Sequence, residues 1–334
     1  MNLKFKAAVA ASAAGLMALT ACGGGSDAAT GSTLNVVGFS VLEAANTDVY
    51  KAFQDTEAGK DIDFAPSYGA SGDQSRAVEA GKKADIVHFS LEPDIQRLVD
   101  AGLVAKDWNT TPTKGILTQS VVVFVVRKGN PKNIQSWDDL VKPGVEVVTP
   151  NPASSGSAKW NILAGYGQAG DDAAGQAYLA KLFKNVVAFP DSGRNATTAF
   201  QGGTGDVLLS YENEAIIARQ NGADFDYVVP DTTLLIENPG ALTVDAAPAA
   251  KSFLDFITSK AGQEIYAGYG FRPLVDVDVE VQGANDPADP FPAPGKLLTI
   301  TDNFGGWGEA NTKYFDDTDG IVTKLLKAAG APTE

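Results

Sequence analysis

Four times along the 334-residue chain a β-rich apolar run ends in a serine turn that opens into a helix-forming stretch. The turns are Ser40-Val-Leu-Glu43, Ser71-Gly-Asp-Gln74, Ser155-Gly-Ser-Ala158 and Ser192-Gly-Arg-Asn195. A helix start leaves backbone N–H groups unpaired and carries about half a positive charge, so it can hold a phosphate-like or sulfate-like group without a basic side chain. The chemistry suggested is anion binding. Ser40/Glu43 and Ser71/Gln74 have capping-box spacing, which predicts that these two serines cap their helices. Any one such turn is an ordinary cap; four carry meaning if the fold brings them together.

Residues suited to bond-making chemistry are fewer. His88 is the only histidine and sits in the strand-like Asp85–Phe89, which suits a structural role. Ser155 and Lys159 are one helical turn apart, the spacing of a Ser/Lys hydrolase pair, but a lysine beside an anion site stays charged rather than acting as a base. Glu212 and Glu214 are two residues apart, and such residues do not face each other on a helix. The Pro/Asp-rich stretch from Asn285 to Pro294 reads as a surface loop, and its acids do not have calcium-loop spacing. No metal or cofactor is expected, and the chain is read as a non-enzyme.

The elements that must position the serines alternate. Strand patterns at Leu34–Phe39, Ala84–Phe89, Gln119–Val126, Val145–Thr149, Val186–Phe189 and Asp206–Ser210 are interleaved with helical patterns near Gln74–Gly81, Trp160–Tyr166 and Glu212–Asn221. Such alternation predicts an α/β fold with largely parallel sheets, in which ligands sit beyond the carboxyl ends of the strands. The length exceeds what one core usually sustains, so two lobes are expected.

The amino terminus has its own logic. Lys4 and Lys6 precede an apolar run from Ala7 to Ala21, the pattern of a secretory leader spanning 1–21. Leu19-Thr-Ala-Cys22 resembles the lipobox of bacterial lipoproteins, in which the cysteine is acylated, and residues 22–32 form a Gly/Ser-rich tether. Cys22 is the only cysteine, so no disulfide is expected in the mature chain. The expected location is the outer face of a cell membrane, held by lipid. Without Lys4 and Lys6 the 26 basic residues fall to 24 against 41 acidic ones, a formal charge near −17 that argues against a nucleic-acid partner.

Longer motifs carry a resemblance. Ser67-Tyr-Gly-Ala-Ser-Gly72, Val126-Arg-Lys-Gly-Asn-Pro131, Thr149-Pro-Asn-Pro-Ala-Ser-Ser-Gly-Ser-Ala-Lys-Trp160, Gly205-Asp-Val-Leu-Leu-Ser-Tyr-Glu-Asn-Glu-Ala215 and Phe304-Gly-Gly-Trp307 are similar to segments of the sulfate- and thiosulfate-binding proteins of ABC importers. The resemblance runs from Asn35 to about Phe315. It implies a two-lobe periplasmic-binding-protein fold (type II), each lobe a mostly parallel sheet flanked by helices, with the ligand cleft between lobes. Residues 33–113 would form the first part of lobe 1, 114–231 lobe 2, and 232–334 the return to lobe 1 and the C-terminal segment, with hinge strands near Leu117–Val126 and Leu234–Val244.

Carried over residue by residue, Ser40 and Ser71 would each give a backbone N–H to the anion. Ser155 would give its hydroxyl, and Gly156 and Ser157 their N–H groups, Ser157 standing where the family more often has glycine. Gly193 and Arg194 fall where this chain is one residue short of the pattern, which leaves open which of their N–H groups faces the anion. Tyr211 replaces a tryptophan whose indole N–H donates in the family. Sulfate or thiosulfate would be the ligand, an ABC permease the membrane partner, and the protein a monomer; molybdate is the neighbouring alternative. A donor-only site suits a fully ionised sulfate, whereas monohydrogen phosphate needs an acceptor as well. Glu43 and Asp73 are the carboxylates near the turns, and both read as first-turn helix residues.

Overall fold

The computed structural model describes residues 32–332; the leader, Cys22 and the tether up to Gly31 lie outside the described residues. β1 (Ser32–Phe39), α1 (Glu43–Gln54), β2 (Ile62–Gly69), α2 (Ser71–Glu79), β3 (Ile86–His88) and α3 (Glu92–Asp100) lead to a long strand, β4 (Ile116–Arg127). β5 (Val147–Val148), α4 (Gly156–Gly167), α5 (Asp172–Asn185), β6 (Val186–Ala188), α6 (Gly193–Gln201), β7 (Val207–Tyr211), α7 (Glu212–Gln220) and β8 (Phe225–Val228) follow, up to a second long strand, β9 (Thr232–Leu242). α8 (Ala249–Thr258), α9 (Lys260–Gly268), β10 (Lys296–Leu298), α10 (Ile300–Phe304), α11 (Trp307–Phe315) and α12 (Ile321–Ala329) finish the chain. No helix among the described residues is long and apolar enough to cross a membrane.

The strands pair in the order β2-β1-β3-β9-β4-β7-β5-β6. β1 runs parallel to β2 and β3, and β5 parallel to β6 and β7, as the alternating pattern predicts. Between these groups β9 and β4 run antiparallel to each other and to their outer neighbours β3 and β7. The strands expected near Leu117–Val126 and Leu234–Val244 are therefore the two that join the parallel groups.

β4 shows why this sheet is buried on both faces. In its apolar run, Val122, Phe124 and Val126 enter one core, whereas Val121, Val123 and Val125 enter another. Consecutive side chains of a strand point to opposite faces, so an unbroken apolar run needs cover on both sides. β1 and β3 do the same on the other side of the sheet, with Val36 and Ile86 in the first core and Val37 and Val87 in a third.

Both expected capping boxes are absent. Phe39 and Ala70 occupy the cap positions, with no side-chain bond to the helix, and Ser40 and Ser71 are the first helical residues. The physical reason at Ser71 is competition, since its hydroxyl donates to Asp94 Oδ2 at 2.6 Å and accepts the Ser90 N–H at 2.9 Å. Gln74 turns away to accept from Ser67 Oγ and Lys82 Nζ. At Ser40 the chain enters α1 through a tight turn of 3-10 helix, Ser40–Leu42.

Candidate functional site

The four serine turns meet. The Gly72 N–H of α2 donates to the Ser154 carbonyl just before α4, at 3.2 Å. A Cβ on Gly156, the first residue of α4, would stand 2.4 Å from Ser90 Oγ, and one on Gly193, the first residue of α6, would stand 2.7 Å from Ser157 Oγ and 3.5 Å from a methyl of Val41. The starts of α2, α4, α6 and the turn at Ser40 thus surround one point.

The N–H groups left over at these starts can be assigned by elimination. In α2 the N–H groups of Gly72 and Gln74 are taken by the carbonyls of Ser154 and Ala70, which leaves those of Ser71 and Asp73. In α4 the Ala158 N–H bonds the Ser155 carbonyl, which leaves Gly156 and Ser157. In α6 Ser192 caps the helix by accepting the Asn195 N–H at 3.2 Å, and the Ala196 N–H bonds the Ser192 carbonyl. Gly193 and Arg194 are both left over, so neither is set aside by helix bonding. Ser155 occupies the cap of α4 without using its hydroxyl to cap; that hydroxyl donates to Ser157 Oγ at 3.3 Å.

Ser71, Ser155, Gly156, Ser157, Gly193 and Tyr211 are buried, whereas Ser40 and Arg194 are half-buried. A cavity of about 380 Å³ opens beside them, lined by Ser40, Tyr68, Ala70, Ser192, Arg194 and several acids, among them Glu43 and Asp73. A larger cavity, about 790 Å³, lies behind α3 against α11 and α12; none of the four turn serines lines it, and its walls mix acids with bases. Size favours the larger cavity. The converging, desolvated N–H groups favour the smaller as the route to an anion site, because a small dianion is held by donors rather than by volume.

Tyr211 closes β7 and reaches Ser90, Ser157 at the start of α4, and Asn238. Its hydroxyl lies 2.7 Å from Ser90 Oγ, and burial raises its pKa well above the usual phenol range, so it is a neutral O–H group. Arg194 turns its guanidinium to the buried Glu214, Nε to Oε1 at 3.0 Å, while Arg272 holds the equally buried Glu212 at 2.7 and 3.1 Å. Burial raises both carboxyls and the arginines oppose it. Each glutamate therefore has its own cation, and the two do not form an acid/base couple.

The other candidates for bond-making chemistry are structural. His88 is buried, its Nε2 3.1 Å from Thr118 Oγ1, and desolvation pushes it down to about 3. Lys159 donates to Asn311 Oδ1 at 2.9 Å and lies over the Phe315 ring, in the larger cavity and turned away from the serine turns. Burial lowers its pKa. Among the described residues no cluster of His, Cys, Asp or Glu could hold a metal ion.

Sequence reasoning missed three residues here, Ser90, Asp94 and Asn238. Asp94 accepts the Ser71 hydroxyl and the Arg97 guanidinium, and Asn238 donates to the Ser90 carbonyl at 3.1 Å. None lies in a serine turn, and no short-range spacing marks them.

Residues 34–272 match the family model described as bacterial extracellular solute-binding protein. A sulfate-binding protein of Synechococcus elongatus is 34% identical over 94% of this chain and 93% of its own length. A thiosulfate-binding protein of Pseudomonas aeruginosa is 36% identical over 91% of this chain and 95% of its own. Among solved structures, the sulfate-binding protein SubI from Mycobacterium tuberculosis H37Rv superposes with a TM-score of 0.80 at 46% identity, covering 85% of this chain and 100% of that one.

Proposed function

Because this chain belongs to the bacterial extracellular solute-binding proteins and has the type II fold of the periplasmic members, we propose that it captures sulfate or thiosulfate outside the cytoplasm and passes it to an ABC permease. The observation that carries the reading is the convergence of helix starts whose spare N–H groups include those of Ser71, Gly156, Ser157, Gly193 and Arg194, beside the turn at Ser40. We assign the Ser40 N–H and the Ser155 hydroxyl to the same donor set, with Tyr211 at its edge.

Fully ionised sulfate only accepts hydrogen bonds, so a set of donors satisfies it. Monohydrogen phosphate must also donate, and the buried carboxylates beside the site are engaged, Asp94 by Ser71 and Arg97 and Glu214 by Arg194. Charge-assisted bonds contribute about 1.5–3 kcal/mol each, so six or seven exceed the roughly 8 kcal/mol of micromolar binding, and lobe closure and ordering consume part of the surplus. The lobes would be 33–113 with the return after 231, and 114–231, hinged at β4 and β9. The protein works as a monomer that turns nothing over.

Calorimetric titration of the mature protein with sulfate, thiosulfate, phosphate and molybdate tests the reading. One-to-one binding of sulfate or thiosulfate near micromolar, with phosphate silent, is expected; silence from all four on folded, ligand-free protein would overturn it. We place the mature protein on the outer membrane-water face through lipid on Cys22. Cys22→Ala should move it from the membrane fraction to the soluble fraction without changing anion affinity.

A further inference from the structure

Ser90 lies between β3 and α3, in the first expected lobe, and every polar atom it has is engaged. Its N–H donates to Ser71 Oγ at 2.9 Å, and its carbonyl accepts from Trp160 Nε1 at 2.9 Å and Asn238 Nδ2 at 3.1 Å. Its hydroxyl shares a proton with the Tyr211 hydroxyl at 2.7 Å. Ser90 and Tyr211 are each 1% exposed. Ser71 and Asp94 fall with Ser90 in one lobe, Tyr211 and Trp160 in the other, so the chain Asp94–Ser71–Ser90–Tyr211 crosses from one lobe to the other through buried bonds.

The crossing is tight. The Gly156 backbone leaves no room for a methyl beside Ser90, which would meet both Ser90 Oγ and Ser90 Cβ at under 3 Å. Ser90 therefore seats the start of α4 as well as the ring of Tyr211. An indole at 211 carries one N–H and no acceptor, whereas a phenol hydroxyl both donates and accepts, which is what a bond to another hydroxyl requires.

We propose that Ser90 and Tyr211 form a cross-lobe latch: Tyr211 acts by bonding Ser90 when the lobes close, and Ser90 is a positioning residue for the anion site. The latch rests on the solute-binding reading above. It holds the closed form, with or without ligand, and so slows release of the anion. Losing either hydroxyl loses the bond between them, and Tyr211→Phe also gives up the interactions of the Tyr211 hydroxyl with Ser157 and Asn238.

The test compares the full mature protein with Ser90→Ala, Tyr211→Phe and the double variant, by sulfate and thiosulfate calorimetry, stopped-flow release and small-angle scattering without ligand. Each single variant should weaken binding about tenfold or more through faster release, and the double should be no weaker than Tyr211→Phe, as expected when Ser90 acts only through that hydroxyl. A Tyr211→Phe loss with Ser90→Ala unchanged, or a double loss equal to the product of the two, would overturn the latch and make Tyr211 an independent donor to the anion. If the unmodified protein binds neither anion, the solute reading falls. The latch is then decided by scattering, where a larger radius in both single variants supports it and an unchanged radius overturns it.

Discussion

Gly156 is the residue on which most of the site geometry turns, since its hydrogen is what lets α4 approach Ser90 and Leu91. Gly156→Ala places a methyl 2.4 Å from Ser90 Oγ, 2.7 Å from Ser90 Cβ and 2.8 Å from Leu91 Cγ, and only the hydroxyl can rotate away. Overpacking of this kind costs about 2 kcal/mol, which should weaken sulfate about thirtyfold in a calorimetric titration. An affinity within a factor of two of the unmodified protein would show that α4 can shift. The serine turns were readable because helix starts have local signatures. Ser90, Asp94 and Asn238 were not, because their partners lie far off in the sequence: Ser90 and Tyr211 are 121 residues apart, and Asn238 and Ser90 are 148 apart.

Among the elements, the strands and helices followed their patterns closely, and the failures lie at their ends. The helix expected near Gln74–Gly81 begins at Ser71, and Val145–Thr149 shortens to the two-residue β5. Capping-box spacing is a local preference, and at Ser71 a buried carboxylate from α3 wins the hydroxyl. Ser192 shows the opposite outcome, a serine without the acidic partner three residues on that nevertheless caps α6. Ser192→Ala should cost about 1 kcal/mol in urea unfolding. It should leave sulfate affinity within about threefold, since Gly193 and Arg194 keep their N–H groups and each 1.4 kcal/mol is tenfold. A large affinity loss with unchanged stability would mean that the Ser192 hydroxyl itself serves the site. The antiparallel middle of the sheet was less legible, because strand direction depends on how distant segments return, and β9 reaches β3 only after the whole of 114–231 has intervened.

For the whole molecule, acid is the first expected weakness. Burial holds His88 at about 3, against about 6.5 for an unperturbed imidazole. Between those values the unfolded chain binds a proton that the folded chain refuses, so this contribution is complete above pH 6.5 and shrinks as pH falls toward 3. The raised carboxyls of Glu212 and Glu214 act with the opposite sign, contributing stability that is lost as pH rises through their folded values. Urea unfolding at pH 7 and pH 5 separates the two, because His88→Gln removes the first and keeps the second. The unmodified protein should lose more stability between these pH values than His88→Gln, and equal losses would clear His88 of the effect. The order of the sheet also governs how the chain comes to be folded at all. β3 meets its second neighbour only when β9, beginning at Thr232, has been made, and β4 waits for the same strand. A chain that ends before β9 leaves β3 and β4 each with an unpaired edge, so the two parallel groups stay separate half-sheets, and residues 232–242 are the splice that makes them one.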